Sequence, residues 1–245
     1  MKNDKGVDCF PDPMITEPED EKAIYNSILE QVAALYRLRS SRNQFEPGVS
    51  KIHYAGRVFD EREMQEVVRA SLDFWLTLGP YGAKLEKRMK DFFQARDFAL
   101  VNSGSSANLL AVSTLASPTI EDHLRVGDEV ITPALTFPTT VAPIIQNGLV
   151  PVFIDCEIGS YNINPEILEK AISSKTRAIM IPHTLGNPCD MDEVMRVVRK
   201  HRLFLIEDCC DALGALFGNK KVGTCLLYTS PSQRDATLSR MPSYA

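Results

Sequence analysis

No apolar run in this 245-residue sequence approaches the ~20 residues that a membrane-spanning helix needs. The opening Met1-Lys2-Asn3-Asp4-Lys5-Gly6 lacks the apolar core of a secretory signal. Excess positive charge is missing too. The balance is -5, which removes the usual reason to expect nucleic acid or an anionic membrane as partner. None of the six cysteines stands in Cys-x-x-Cys spacing, so a zinc site built within the chain is not expected. Scattered through a chain of this length, they fit a reducing cytoplasm better than a disulfide framework. There is no Gly-Lys-Ser/Thr phosphate loop, no Gly-x-Gly-x-x-Gly turn, no internal repeat and no low-complexity tract. What is left has the apolar (44%) and charged (24%) shares of an ordinary globular protein.

The first third reads as helical. Residues 1–16 are irregular, broken by Pro11 and Pro13. A helix is expected from Glu17, with Ile24, Ile28, Val32 and Leu35 on one face. Residues 37–49 are polar, end in Pro47-Gly48 and read as a loop. Asp60 is a good N-cap, and Glu63 is placed to close a capping box. The helix it opens carries Met64, Val67, Val68, Leu72 and Trp75 as an apolar stripe. Gly79-Pro80-Tyr81-Gly82 reads as an interruption before a third helix with Leu85, Met89, Phe92 and Phe93 on one side.

The rhythm then changes to strand, turn, helix. Short strands are expected at 98–101, 130–131, 150–154 and 178–181, with a last one from Leu203. Helices are expected after Asn108, from Pro138 to near Gly148, from Asn164-Pro165, and from Asp190 to Lys200. Residues 117–127 read as a long loop. Such alternation implies a mainly parallel sheet covered by helices on both faces, joined by right-handed crossovers. Residues 225–245 leave the pattern. They are rich in Ser, Pro and Arg without period and resemble translated adapter sequence, so the α/β rhythm is expected to stop mid-domain near Thr224. The expected division is therefore a helical segment 1–78, a partial α/β domain 79–224 and a non-native tail 225–245.

Four stretches at strand ends carry candidate chemistry. Ser103-Gly104-Ser105-Ser106-Ala107 lies between a strand and a helix start, where free N–H groups and the helix dipole favour an anion. Ser105 and Ser106 add hydroxyl donors; the same residues equally suit a serine-rich helix cap. In Thr136-Phe137-Pro138, Phe137 is placed either to lie against a ligand ring or to fill the core above a proline-started helix. His183, Asn187 and Asp190 follow another strand, as ligand contacts or as packing and capping residues. The last stretch is Leu203-Phe204-Leu205-Ile206-Glu207-Asp208-Cys209-Cys210-Asp211, an apolar strand that turns acidic at its carboxyl end. A carboxylate there, Asp208, points into the crevice where open α/β sheets bind ligands, unless it is a solvated or capping acid. Facing a pyridine nitrogen, it stabilises the protonated ring, the electron sink of pyridoxal chemistry. A phosphate cradle, a stacking aromatic and a pyridinium acid at successive strand ends are the layout of a fold-type I pyridoxal phosphate enzyme.

From about Gly79 to Thr224 the sequence resembles the DegT/DnrJ/EryC1/StrS family of nucleotide-sugar aminotransferases. Gly127-Asp128-Glu129-Val130-Ile131-Thr132-Pro133 and Ile206-Glu207-Asp208 are phrases typical of it. Residues 71–77, 103–108, 137–141, 145–149, 183–188 and 209–214 resemble one branch, the CDP-4-keto-6-deoxyglucose 3-dehydrases. The resemblance implies that Ser105 and Ser106 bind the cofactor phosphate, that Phe137 stacks on the ring and that Asp208 pairs with its nitrogen. His183, Asn187 and Asp211 join the cofactor-binding set. It implies pyridoxamine or pyridoxal phosphate as cofactor, a CDP-4-keto-6-deoxyhexose as substrate and C3 dehydration in deoxysugar and lipopolysaccharide synthesis. It further implies a homodimer, a flavin/iron–sulfur reductase partner, and Cys210 as one ligand of a [2Fe-2S] cluster whose other three cysteines lie beyond Thr224. The catalytic position, histidine in this branch and the Schiff-base lysine in the aminotransferases, also lies beyond it. The 245-residue chain alone is therefore expected to be inactive. Two other readings remain open: a sugar aminotransferase, and a non-catalytic binding protein on the same fold.

Overall fold

In a computed structural model, residues 19–41, 45–52 and 57–224 are described. The expectations for residues 1–16 and 225–245 lie outside them. The chain divides into two compact units, one ending at Tyr81 and the other starting at Gly82.

In the first unit α1 (Glu19–Ser40) packs against α2 (Glu61–Leu72). Helix α1 is longer than the polar sequence after Arg37 implied, since acidic first-turn and basic last-turn residues both suit the helix dipole. It buries Leu29 and Ala33, one residue round from the expected stripe, and leaves Ile24 and Leu35 exposed. The Asp60 capping box forms as read: Asp60 accepts from the Arg62 N–H at 2.8 Å, and the Asp60 N–H donates to Glu63 at 2.7 Å. The α2 stripe is not a core. Val67, Leu72 and Trp75 are exposed, and α2 has no buried residue. Helix α3 (Gly79–Phe93) starts inside the expected interruption, because proline suits a first helical turn. Gly79 has a φ of +55°, and a Cβ there would collide with the Trp75 ring.

The second unit is built on four parallel strands: β1 (Glu129–Pro133), β2 (Val150–Ile154), β3 (Thr176–Pro182) and β4 (Phe204–Asp208), in the order β2-β1-β3-β4. Side chains alternate across this sheet with a period of two residues. Val130, Ala178, Met180 and Ile206 face α4 (Gly104–Leu115) and α5 (Pro138–Gln146), whose Val112, Leu115 and Ile144 close that core. Ile131, Ile179, Ile181 and Leu205 face α6 (Pro165–Leu168) and α7 (Met191–His201), packing on Leu168, Val194, Val197 and Val198. The fold class read from the sequence, α/β with a parallel sheet between helices, is the one observed.

Residues 98–101 are not a strand. No sheet neighbour meets them among the described residues, and the Leu100 N–H donates instead to Glu86 at 2.8 Å. Two short antiparallel strands also appear, β5 (Leu216–Phe217) and β6 (Lys220–Lys221). Their signal was present in the Gly218-Asn219 pair between them, a favoured two-residue hairpin turn.

Surface Glu169 ties α6 to α7. It accepts from Lys200, from Arg196 at 3.0 Å and from His201 at 3.5 Å. These donors, Lys200 foremost, hold its carboxyl below the ordinary 4.5, at about 2. A depressed folded-state pKa adds stability that is present above 4.5 and lost as pH falls towards 2. Thermal melts of wild type and Glu169→Gln are thus expected to differ at pH 5 and to converge towards pH 2, with 1 M salt shrinking the gap. Parallel pH profiles for the two proteins would rule out this role.

Candidate functional site

The carboxyl ends of the parallel strands open on one crevice. β1 leads outward to β2 on one side and its neighbour β3 leads outward to β4 on the other, so the loops after β1 and β3 diverge. Such a switch point is where open α/β sheets bind ligands. Here it is a cavity of about 680 Å³. It is lined by the start of α4, the loop from β1 to α5, the loop after β3 and the segment after β4.

The two-residue period sorts the acids at the end of β4. Asp208 continues the phase of Ile206 and meets α4 and α5; Glu207 continues that of Leu205 and turns to the other face. Asp208 is buried. Its Oδ2 accepts from Asn108 Nδ2 at 2.7 Å and from Thr140 Oγ1 at 3.0 Å, and its Oδ1 accepts from the Cys210 N–H at 3.1 Å. Donors from three elements thus fix one carboxylate against the cavity. It is neither a solvated acid nor a helix cap.

Phe137 is not a core residue. It is 69% exposed and lines the cavity, where a ring can be stacked. At the start of α4, Ser103 is the N-cap and accepts from the Ser106 N–H at 3.2 Å. Its hydroxyl also donates to Ser106 Oγ at 3.1 Å. Gly104 and exposed Ser105 face the cavity with it; Ser106 is half-buried and does not line it. Asp211, His183 and Cys210 also line the cavity, whereas Asn187 is exposed and outside its lining. Asp190 caps α7, accepting from the Glu193 N–H at 3.2 Å.

His183 and Glu207 form a pair sealed from solvent. The Cys189 N–H donates to His183 Nδ1 at 3.1 Å, so the ring proton sits on Nε2 and is donated to Glu207 Oε2 at 3.1 Å. Gly223 adds an N–H to the same oxygen at 2.8 Å. Donor atoms of Glu207, His183 and Cys209 lie within 4.8 Å of one another. They do not make a metal centre, because the histidine nitrogen facing the group already carries that proton. Nor are four thiolates gathered among the described residues. Of Cys156, Cys189, Cys209 and Cys210, only Cys210 lines the cavity. Burial pushes the Cys189 thiol up to about 12, with Glu207 and Cys156 adding to it, so it stays protonated.

Several site residues went unread in the sequence. Asn108 and Thr140 fall inside quoted motifs but had no assigned partner. Tyr161 and Leu185 line the cavity with left-handed backbones, φ 59° and 55°, which no pattern announces. The hydroxyls of Thr136 and Thr184, both on lining residues, are buried without a hydrogen-bond partner.

Comparison with known proteins agrees with this geometry. The DegT/DnrJ/EryC1/StrS aminotransferase family matches residues 58–232. Lipopolysaccharide biosynthesis protein RfbH of Salmonella typhimurium is 46% identical over 204 residues, covering 81% of this chain and 47% of that protein. The dTDP-4-dehydro-2,6-dideoxy-D-glucose 3-dehydratase of Saccharopolyspora spinosa is 46% identical over 198 residues, covering 80% of this chain and 43% of the relative. Among solved structures, the E. coli GDP-4-keto-6-deoxy-D-mannose-3-dehydratase with bound hydrated PLP superposes with a TM-score of 0.65 at 34% identity, covering 69% of this chain and 43% of that one. The chain thus spans less than half the length of each of these relatives.

Proposed function

The chain belongs to the DegT/DnrJ/EryC1/StrS aminotransferase family, and from that premise we propose that it forms part of a pyridoxamine phosphate-dependent enzyme. Its reaction is the C3 dehydration of a CDP-linked 4-keto-6-deoxyhexose in deoxysugar and lipopolysaccharide synthesis. The supporting observation is one cavity that brings together the α4 amino end, exposed Phe137 and buried Asp208.

The residues present fit the cofactor. The N–H groups at the α4 start and the Ser105 hydroxyl suit a phosphate dianion. Phe137 offers a face for the ring, and the Asp208 carboxylate suits a protonated pyridine nitrogen. Bound there, pyridoxamine phosphate supplies an amine for the sugar's keto carbon and a ring able to accept an electron pair. The chain's own part is positional and electrostatic. Asp208 keeps the ring nitrogen protonated, Asn108 and Thr140 keep that carboxylate aimed, and Phe137 sets the ring plane and excludes water. Ser106 supports the site through the Ser103 cap; His183 and Asp211 shape its far wall, and Asn187, outside the lining, braces the loop behind it through Asn162. In this reading residues 79–224 belong to the cofactor domain, the described helices within residues 1–78 precede it, and residues 225–245 are non-native sequence.

The complete enzyme is read as a cytoplasmic homodimer served by an electron-donating reductase. A [2Fe-2S] cluster ligated by Cys210 needs three further thiolates, which the described residues do not bring to the cavity.

The full-length enzyme, given pyridoxamine phosphate and a CDP-4-keto-6-deoxyhexose, is expected to release the C3 hydroxyl as water and to form no amino sugar. Amino-sugar formation from an added amino donor would replace this reading with transamination. A protein with no spectral response to pyridoxamine phosphate would replace it with a binding role.

A further inference from the structure

The loop after β3 holds one apolar side chain in an unusual posture. Leu185 has φ 55° and ψ 27°, the left-handed region that an ordinary side chain avoids, and it is 77% exposed on the cavity wall. Packing does not account for it. The residues around it, by contrast, are tied down on every side. The His183 N–H donates to the Asp208 carbonyl at 3.1 Å. Asn162, 4% exposed, accepts from the Thr184 N–H at 3.0 Å and donates to the Asn187 carbonyl at 2.9 Å, bracketing Leu185. Gly186, at φ +80°, is pressed so close to the segment after β4 that a Cβ would sit 3.0 Å from the Asp211 carbonyl oxygen. A rigid frame thus presents a strained, solvent-facing leucine to the cavity. Strain of this kind persists where the surroundings over-determine it, typically at ligand contacts.

The surroundings also limit what Leu185 meets. The backbones of Asp208 and Asp211 adjoin this loop, at His183 and Gly186, and no Lys or Arg is among the described residues that line the cavity. A diphosphate is disfavoured there. The apolar part of a 6-deoxy sugar is its C6 methyl. Resting on the function proposed above, we propose that Leu185 is a specificity-determining residue that receives this methyl and disfavours a hexose retaining its 6-hydroxyl. Asn162 is the positioning residue that holds Leu185 in place.

The test is calorimetric, on the cofactor-loaded full-length enzyme, with CDP-6-deoxyglucose and CDP-glucose as probes. Wild type is expected to prefer the deoxy compound by about tenfold, in the range hydrophobic pockets achieve against a small change in a substrate. Leu185→Asn is expected to bring the ratio near one while its Tm stays at or above wild type, because asparagine tolerates the left-handed region. A purely structural leucine would not separate these two readouts. Leu185→Met should keep the preference, and Asn162→Ala should weaken it; Leu185→Ala gives a second reading if the asparagine variant does not fold. A wild-type ratio of one overturns the proposal. So does an unchanged ratio in Leu185→Asn, including one accompanied by altered oligomeric state. Failure of the dehydration reading shows itself separately, as absent turnover with the binding ratio intact.

Discussion

Asp208→Asn is expected to lower the dehydration rate of the full-length enzyme by about 10- to 10³-fold, the reach of the 1–3 pKa units that a close opposite charge confers. The substitution preserves volume and removes the charge that favours a protonated ring nitrogen. It also breaks the local hydrogen bonding. Asn108, Thr140 and the Cys210 N–H all donate to Asp208, and an asparagine has a single acceptor oxygen for them. At least one buried donor or the new amide is left unsatisfied, at about 1–3 kcal/mol. The two effects separate experimentally. Asn108→Ala removes a donor without touching the charge, so it should lower stability with a much smaller effect on rate. In Asp208→Asn the absorbance of the bound cofactor should titrate at lower pH than in wild type. A loaded Asp208→Asn enzyme that retains a rate within about threefold of wild type would remove Asp208 from the role that close charge pairing gives it.

How much of this site was legible before the structure depends on the distance over which each residue acts. The strand from Leu203 could be read because its apolar run and acidic end are contiguous. The α/β rhythm could be read for the same reason. The sequence order of Glu207 and Asp208 also shows that they face opposite ways. It does not show which helices wait on each side, since the partners of Asp208 lie 100 and 68 residues away. Phe137 stayed ambiguous because a proline-started helix places an aromatic equally well over a core or a rim. The α1 stripe came out one residue round because its apolar residues nearly encircle the helix, so the contact with α2 chooses the face. Residues 98–101 have strand-like composition, yet a strand needs a neighbour, and Glu86 takes the Leu100 N–H instead. Leu185 was illegible in principle: its left-handed backbone is imposed by Asn162 and the Asp211 segment rather than by its own preference.

The largest stability effect is expected at the buried pair behind the cavity, and it should be asymmetric. Glu207 Oε2 takes both the His183 proton and the Gly223 N–H, while Oε1 is buried with no partner. His183→Leu would leave a carboxylate in the interior with one donor, a loss of about 3–5 kcal/mol by analogy with breaking buried pairs. For a domain of this size that corresponds to a Tm fall of roughly 10 °C. Glu207→Leu leaves no charge behind, only the His183 and Gly223 donors unsatisfied, and should cost less. The double replacement removes both the carboxylate and its histidine partner. It should therefore be more stable than the sum of the single losses implies, a coupling that a double-mutant cycle measures directly. Additive losses, or a Glu207→Leu variant less stable than His183→Leu, would mean that the carboxylate is satisfied from elsewhere. The order matters because His183 belongs to both systems: the residue stands at the cavity wall while its buried ring is held from behind by Glu207. The β5–β6 hairpin reaches that same oxygen through Gly223. Loosening the pair should therefore release the hairpin and the far wall of the site together, with protection from hydrogen exchange falling at Gly223 and Cys189 in the same variant.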